Sequence, residues 1–294
     1  MPLFRPKAYL APRSLAEVFD LIQTYGDKAK LIAGGTTIYE LARRGMIPNI
    51  EALIDIQFVD LDHVTEGEDG LHIGATCTLT DLMSNSSFGR PEYAALGDAL
   101  REVRPVQVRN VATIGGEVCA SLSFFDLPPA LVAVNASAQA VSSVGERNIL
   151  LEKFWIDYFL TTLKKGELVK ELIVPKPPPK TGSAFLKLGR TADDFALVNV
   201  GAQVTLGDGE VCASTRIALG GVAKTIVRAT KVEKLLEGRR LDAETIVAAT
   251  QPLEELKPVA SIHGGPEYKR EIAKVLVRDA VTKAKERALS MGIA

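Results

Sequence analysis

Two pairs of adjacent glycines lie in segments that could hold a phosphate group. Residues 34–35 fall between an apolar stretch, KLIA, and a pattern typical of a helix that begins near Thr36. Glycine leaves backbone N–H groups open to close approach, and the N-terminus of a helix favours an anion. Residues 115–116 repeat this arrangement after Thr113. The sequence therefore indicates two candidate phosphate-binding loops.

Each glycine pair also has an ordinary alternative, because such pairs are common in tight turns. Neither segment matches GxGxxG or GxxxxGK[ST], so the spacing supports neither a dinucleotide fingerprint nor a P-loop. From the spacing alone, a tight turn and a phosphate-binding loop both remain open.

No residue pattern predicts catalysis or a metal site in this chain. The three cysteines and three histidines are scattered without the spacing of metal ligands. No Ser/His/Asp signature is found, and the acidic pairs at 193–194 and 254–255 are more typical of solvated faces. We expect no catalytic side chain and no bound metal.

Local patterns predict mixed α and β structure in the first half of the chain. A helix is predicted to begin after Ser14, which forms a capping box with Glu17, and to end at Gly26. Strands are predicted at 30–33, 52–56 and 70–75, and helices at 36–45, 78–83, 93–103 and from Leu127 onwards.

A proline-rich segment separates this half from sequence of a different character. In residues 172–180, LIVPKPPPK, the prolines favour an extended and stiff connection. The alternating sequence that follows predicts an antiparallel sheet with a turn at Asp208 and Gly209, and a long helix is predicted at about 266–289. We place the domain boundary near 176–182.

The length and the charge balance of the chain indicate which classes of protein it can belong to. A chain of 294 residues favours two domains. With 35 Lys and Arg against 36 Asp and Glu and no dense basic run, nucleic acid is not an expected partner. No apolar stretch is long enough to span a membrane, and the first residues do not form a signal peptide. We expect a cytoplasmic protein.

Several segments resemble the FAD subunits of the xanthine dehydrogenase and aerobic carbon monoxide dehydrogenase family, the molybdenum hydroxylases. KLIAGGTTIYELARRG resembles their first flavin-binding segment, and VRNVATIGGEVCASLSFFDLPPAL resembles the second. AFLKLGRTADDFALVNV is similar to the start of their C-terminal domain, and the segments 218–238 and 266–281 also match. The resemblance covers nearly the whole chain.

The resemblance implies an α+β fold. A two-part mixed α/β FAD-binding domain of the vanillyl-alcohol-oxidase-like type would occupy residues 1–176. A smaller C-terminal domain of the carbon monoxide dehydrogenase flavoprotein type, with an antiparallel sheet and helices, would occupy residues 182–290.

The resemblance also implies cofactors and partners. FAD would bind this chain, while 2Fe–2S clusters and molybdopterin would lie on a small and a large partner subunit. Electrons would pass from the iron–sulfur clusters to the flavin and then to an external acceptor. The assembly would be a dimer of heterotrimers.

The same resemblance assigns the site residues. The diphosphate would be surrounded by Leu31, Ile32, Ala33, Gly34, Gly35, Thr36, Thr37 and Ile38 and by Thr113, Ile114, Gly115, Gly116 and Glu117. Asp126 would accept hydrogen bonds from sugar or ribityl hydroxyls, and Lys187 would lie beside the isoalloxazine ring. The alternatives are a helix N-cap for Asp126 and a solvated strand lysine for Lys187.

Two positions depart from the family pattern. Glu117 stands where asparagine is usual, and Ser123 where proline is usual. Because a diphosphate repels a carboxylate, we expect Glu117 either to turn outward, with its N–H as a ligand, or to pair with a nearby Arg or Lys.

Two other functions are compatible with the residues. A stand-alone flavin oxidase would need a substrate cavity and catalytic side chains in this chain. A non-catalytic nucleotide-binding or phosphate-binding module would use the glycine loops alone.

Overall fold

The first part of the fold is a small parallel sheet with two helices. The structure is a computed structural model that describes residues 5–47 and 49–290. Its first elements are β1 (Ala8–Leu10), α1 (Leu15–Tyr25), β2 (Ala29–Ile32), α2 (Thr36–Arg43) and β3 (Ala52–Asp55). Strand β3 lies between β1 and β2 and runs parallel to both.

The capping of α1 follows the sequence prediction with one change. The Ser14 hydroxyl accepts a hydrogen bond from the N–H of Glu17 at 3.2 Å, as expected for an N-cap. The Glu17 carboxylate accepts from the N–H of Arg13 at 2.7 Å, one residue before the N-cap. Gly26 ends the helix at φ +52°, a backbone conformation that favours glycine.

A five-stranded antiparallel sheet forms the centre of the first core. The elements of this part are β4 (Val64–Glu66), β5 (Gly70–Gly74), α3 (Leu79–Met83), α4 (Ala94–Glu102), α5 (Val106–Arg109), α6 (Ile114–Cys119), α7 (Leu127–Ala133), β6 (Ser137–Ser142), β7 (Gly145–Leu150), β8 (Trp155–Asp157), β9 (Leu160–Thr161) and β10 (Leu168–Pro175). The strand order is β4-β5-β10-β6-β7, and β8 and β9 form a separate hairpin. Strand β10 therefore joins two hairpins that are far apart in sequence.

The rest of the chain forms a four-stranded antiparallel sheet with a long terminal helix. Its elements are β11 (Thr181–Leu188), β12 (Val198–Leu206), β13 (Cys212–Gly220), β14 (Val227–Arg228), α8 (Thr230–Leu236), α9 (Ala243–Ala249) and α10 (Pro266–Ser290). The strands pair in sequence order. In the described residues, no helix is long and apolar enough to cross a membrane.

Helices cover both faces of this second sheet. Successive side chains of a strand point to opposite faces, so neighbours on β11 enter different cores. Phe185 packs in the first core with residues of α4 and α7, whereas Ala184 packs in the second core with residues of α10. The two parts of the chain therefore share the interface between α4, α7 and the second sheet.

A buried aspartate strengthens the contact between α4 and α10. Asp98 accepts hydrogen bonds from the guanidinium of Arg287 at 2.6 and 3.0 Å and lies 3.1 Å from the ammonium of Lys283. Burial alone would raise the pKa of Asp98, but Arg287, Arg101 and Lys283 lower it to about 2. The carboxylate is therefore charged at neutral pH and holds the end of the chain against the first core.

Candidate cofactor site

The first glycine pair presents free backbone donors. Gly35 has φ +73° and occupies the N-cap position of α2, without a side-chain cap. Within the described residues, no acceptor is found for the N–H groups of Gly35, Thr36 and Thr37. These donors lie at the positive end of a helix dipole, an arrangement that binds anions.

The two glycine loops touch each other. A Cβ atom built on Gly34 would lie 1.7 Å from the carbonyl oxygen of Val111, which precedes the second loop. Only glycine therefore permits this approach. The residues predicted for the first loop are all half-buried: Leu31, Ile32, Ala33, Gly34, Gly35, Thr36, Thr37 and Ile38.

The second glycine pair uses its N–H groups within the protein. Gly115 donates to the carbonyl of Ala75 at 3.0 Å, and Gly116 donates to the hydroxyl of Thr113 at 3.1 Å. The N–H of Ile114 donates to the carbonyl of Cys77 at 3.1 Å. A Cβ on Gly115 would lie 2.7 Å from that of Ala75, so this glycine serves close packing.

Glu117 differs from both sequence expectations. Its N–H donates to the carbonyl of Thr113 at 3.0 Å as part of α6, so this group is not free for a ligand. Its side chain turns inward, is buried, and accepts a hydrogen bond from the N–H of Leu127 at 3.3 Å. Among the described residues it has no ion-pair partner. Burial and the neighbouring Asp126 raise the pKa of Glu117 to about 8, and Lys187 opposes the shift.

Asp126 and Lys187 lie together in the interior. The ammonium donates to the Asp126 carboxylate at 2.7 Å, and the two side chains are only 7% and 5% exposed. Burial raises the pKa of Asp126, while Lys187 and Asn199 oppose the shift. Lys187 is therefore not a solvated strand lysine. Asp126 occupies the N-cap position of α7, but its side chain makes no capping hydrogen bond.

Asn199, on β12, also donates a hydrogen bond to Asp126. Its side-chain amide donates to the backbone carbonyl of Phe125 at 2.9 Å and to the second carboxylate oxygen of Asp126 at 3.3 Å. Both oxygens of Asp126 thus have donors within the protein. Asn199 is not predicted from the sequence, because its strand position gives no local signal of a polar contact 73 residues away.

Three phenylalanines form an aromatic cluster beside Asp126. Phe125 and Phe195 stack with ring centroids 5.4 Å apart, and Phe124 contacts both rings. Phe195 is 66% exposed, so the cluster presents an apolar aromatic surface to solvent. The adjacent pair at 124–125, directly before Asp126, was a signal that the sequence analysis did not use.

Comparisons with known proteins identify the family. The sequence profile described as "FAD binding domain in molybdopterin dehydrogenase" matches residues 4–177. The chain belongs to this family. A second profile, "CO dehydrogenase flavoprotein C-terminal domain", matches residues 183–284.

Curated relatives align over almost their full length. The alpha subunit of the 6-hydroxypseudooxynicotine dehydrogenase complex of Paenarthrobacter nicotinovorans is 30% identical over 95% of both chains. The carbon monoxide dehydrogenase medium chain of Afipia carboxidovorans is 28% identical, with 95% of this chain and 97% of the relative covered.

Solved structures agree with this assignment. The structure of a carbon monoxide dehydrogenase from Hydrogenophaga pseudoflava that lacks the Mo-pyranopterin moiety superposes with a TM-score of 0.91 at 29% identity, covering 96% of this chain and 98% of the other. Quinoline 2-oxidoreductase from Pseudomonas putida 86 gives 0.90 at 26% identity, covering 98% and 100%.

These findings confirm several sequence predictions. The chain is an FAD-binding subunit of the molybdenum hydroxylase family and is part of an oxidoreductase. The α+β fold, with an FAD-binding part followed by a smaller part built on an antiparallel sheet, is also confirmed.

Proposed function

We propose that this chain holds FAD at the meeting point of its two glycine loops and passes electrons through it. The electrons would come from 2Fe–2S clusters on a small partner subunit and leave to an external acceptor. A molybdopterin cofactor on a large subunit would oxidise the substrate. The single observation that carries the site is the set of free N–H groups at the N-terminus of α2.

The donors of the first loop fit the diphosphate of FAD. Backbone N–H groups of Gly35, Thr36 and Thr37 are available in the described structure, and they need no side chain to reach an anion. The hydroxyls of Thr36 and Thr37 would add donors at the same point. The other loop residues, 31–34 and Ile38, would shape the walls of the site.

The second loop contributes shape in this proposal. Its N–H groups are already bonded within the protein, so Thr113, Ile114 and Gly115 would fix the loop against the Ala75 segment. Gly116 is exposed and carries no side chain, so it lets a ligand lie close to the backbone of α6.

Asp126 and Lys187 act in this proposal as positioning residues. Each satisfies the other's charge, and Asn199 ties the pair to the carbonyl of Phe125. This arrangement holds Phe125 in place, and the stacked rings of Phe125 and Phe195 would offer an apolar surface to the isoalloxazine ring. When bound, FAD supplies the group that accepts and releases electrons, and the nearby ammonium favours negative charge on it.

We base the proposed assembly of the complex on the relatives of this chain. Their names describe a medium chain of carbon monoxide dehydrogenase and a subunit of a dehydrogenase complex. We assign this chain the equivalent place beside a small and a large subunit, in a dimer of heterotrimers located in the cytoplasm. Its own domains would span residues 1–176 and 182–290.

Hydrogen exchange measured by mass spectrometry tests the proposed site. Adding FAD to the flavin-free, full-length chain should slow amide exchange at 35–37, where the donors are free, and change residues 114–117 much less. The N-terminus of α9 is the internal control, because Asp242 already caps it at the N–H of Thr245. Unchanged exchange at 35–37 with bound FAD would place the diphosphate elsewhere.

A further inference from the structure

The buried cluster below the second glycine loop contains more acids than bases. Glu117 lies on α6, Asp126 lies directly before α7, and Lys187 lies on β11. The ammonium of Lys187 is committed to Asp126 at 2.7 Å. For Glu117, the described residues supply one hydrogen bond, from the N–H of Leu127 at 3.3 Å, and no cation within 4 Å.

The charged groups around Glu117 would not neutralise the negative charge of its ionised carboxylate. Helices α6 and α7 carry no lysine, arginine or histidine. Strand β10, which packs against α6, carries Lys170 and Glu171, and the Glu171 carboxylate is hydrogen-bonded to His63 and His72. Of the groups that face the cluster, Lys187 is the cation, whereas Asp126 and Glu102 are carboxylates. With all three carboxylates ionised, the buried part of the cluster would hold an unpaired negative charge, which is costly in a protein interior.

The position of Glu117 relative to the loop makes this charge relevant to FAD. Glu117 directly follows Gly116, whose exposed backbone faces the side where a ligand can approach. FAD carries a diphosphate with negative charge of its own. A single charge about 10 Å from a phosphate changes the affinity by about tenfold at an effective dielectric constant of about 20.

We infer that Glu117 must carry its proton for tight FAD binding, so that this residue makes the retention of FAD dependent on pH. The inference rests on the FAD site proposed above. Ionisation releases one proton to solvent and leaves one negative charge beside the second loop. Conversely, FAD binding near the pKa of about 8 takes up a proton at the Glu117 carboxyl.

Titration of FAD into the flavin-free, full-length chain tests this inference. The dissociation constant is measured by flavin fluorescence between pH 7 and 9 for the wild type, Glu117→Gln and Glu146→Gln. Glutamine keeps an acceptor for the N–H of Leu127 but cannot ionise. Glu146 is exposed on β7 and serves as the matched control.

The expected result is a dissociation constant that rises about fivefold over this range in the wild type and in Glu146→Gln, and stays nearly constant in Glu117→Gln. Equal slopes in all three proteins would overturn the inference. Absence of FAD binding in every protein at every pH would overturn the proposed function itself.

Calorimetry provides a measurement that does not depend on the variant. At pH 8, FAD binding to the wild type in buffers of different ionisation enthalpy should show net uptake of a fraction of one proton. Zero proton uptake would overturn the inference, even if Glu117→Gln failed to fold.

Discussion

Lys187 and Asp126 are 61 residues apart in sequence, yet their charged groups lie 2.7 Å from each other in the interior. Lys187 belongs to the second sheet, and Asp126 stands at the start of α7 in the first core. The pair therefore links the two parts of the chain next to Phe125 of the aromatic cluster. Its burial means that the charges depend on each other far more than those of a surface pair.

Removing one partner of this pair should be strongly destabilising. Lys187→Met leaves Asp126 and Glu117 buried without a cation, and we expect the free energy of unfolding to fall by about 3 to 5 kcal/mol. Urea denaturation measures the change. Lys224→Met is the control, because its partner Asp157 is exposed, and it should lower the free energy of unfolding far less than Lys187→Met does. Adding Asp126→Asn to Lys187→Met should recover part of the loss, and equal costs for the two lysine variants would contradict the account.

Replacing Gly34 with alanine should separate the two loops. The new Cβ would collide with the carbonyl oxygen of Val111 at 1.7 Å, so the backbone must move. We expect the Gly34→Ala chain to lose FAD while its far-ultraviolet circular dichroism keeps the wild-type form. Gly89→Ala is the matched control, since a Cβ there meets no atom within 4 Å, and it should retain FAD. Full FAD content in Gly34→Ala would argue against the loop contact.

The contact between Asp98 and Arg287 should stabilise the attachment of α10. Arg287→Ala removes two hydrogen bonds to a buried carboxylate, and we expect a loss of about 2 kcal/mol, because Lys283 and Arg101 remain. Arg278 lies on the same helix and, among the described residues, pairs with exposed Asp279 alone, so Arg278→Ala should cost less than about 0.5 kcal/mol. Denaturation midpoints of the two variants check the difference.

Glu117 should make the stability of the chain fall as pH rises. Its pKa is about 8 in the folded chain against an ordinary glutamate value of 4.5, so the folded state binds the extra proton between these pH values. The contribution of the Glu117 carboxyl to the free energy of unfolding is fully present below about pH 4.5. It is lost progressively up to about pH 8, at roughly 1 kcal/mol per pH unit. Glu117→Gln should therefore gain stability relative to the wild type between pH 5.5 and 8. Urea denaturation measures the free energy of unfolding of both proteins across that range. A difference between them that does not change with pH would show that Glu117 is already ionised.

Local signals in the sequence predicted the elements around the first loop well. Ser14 and Gly26 mark the ends of α1, and the apolar stretch before Gly34 forms β2 within one residue of the predicted bounds. Strand β6, SAQAVS, was not predicted, because its small residues have low strand propensity. Ala138 and Ala140 of this strand are buried because β6 pairs with β10, which is distant in sequence.

The candidate site was predictable only where its contacts are local. The free donors of the first loop follow from the glycine pair and the start of α2. In the second loop, the N–H groups of Ile114 and Gly115 are occupied by the carbonyls of Cys77 and Ala75, from a segment whose position no local pattern gives. Likewise, the inward turn of Glu117 and the pairing of Asp126 with Lys187 depend on side chains brought together by the tertiary fold.

Analysis of the bound cofactor shows whether this chain binds FAD. The full-length chain is purified, its cofactor is released with denaturant, and the released compound is identified and quantified by chromatography. We expect FAD at close to one per chain, or uptake of added FAD to that level by chain that was purified without it. A colourless chain that fails to take up added FAD would contradict the account.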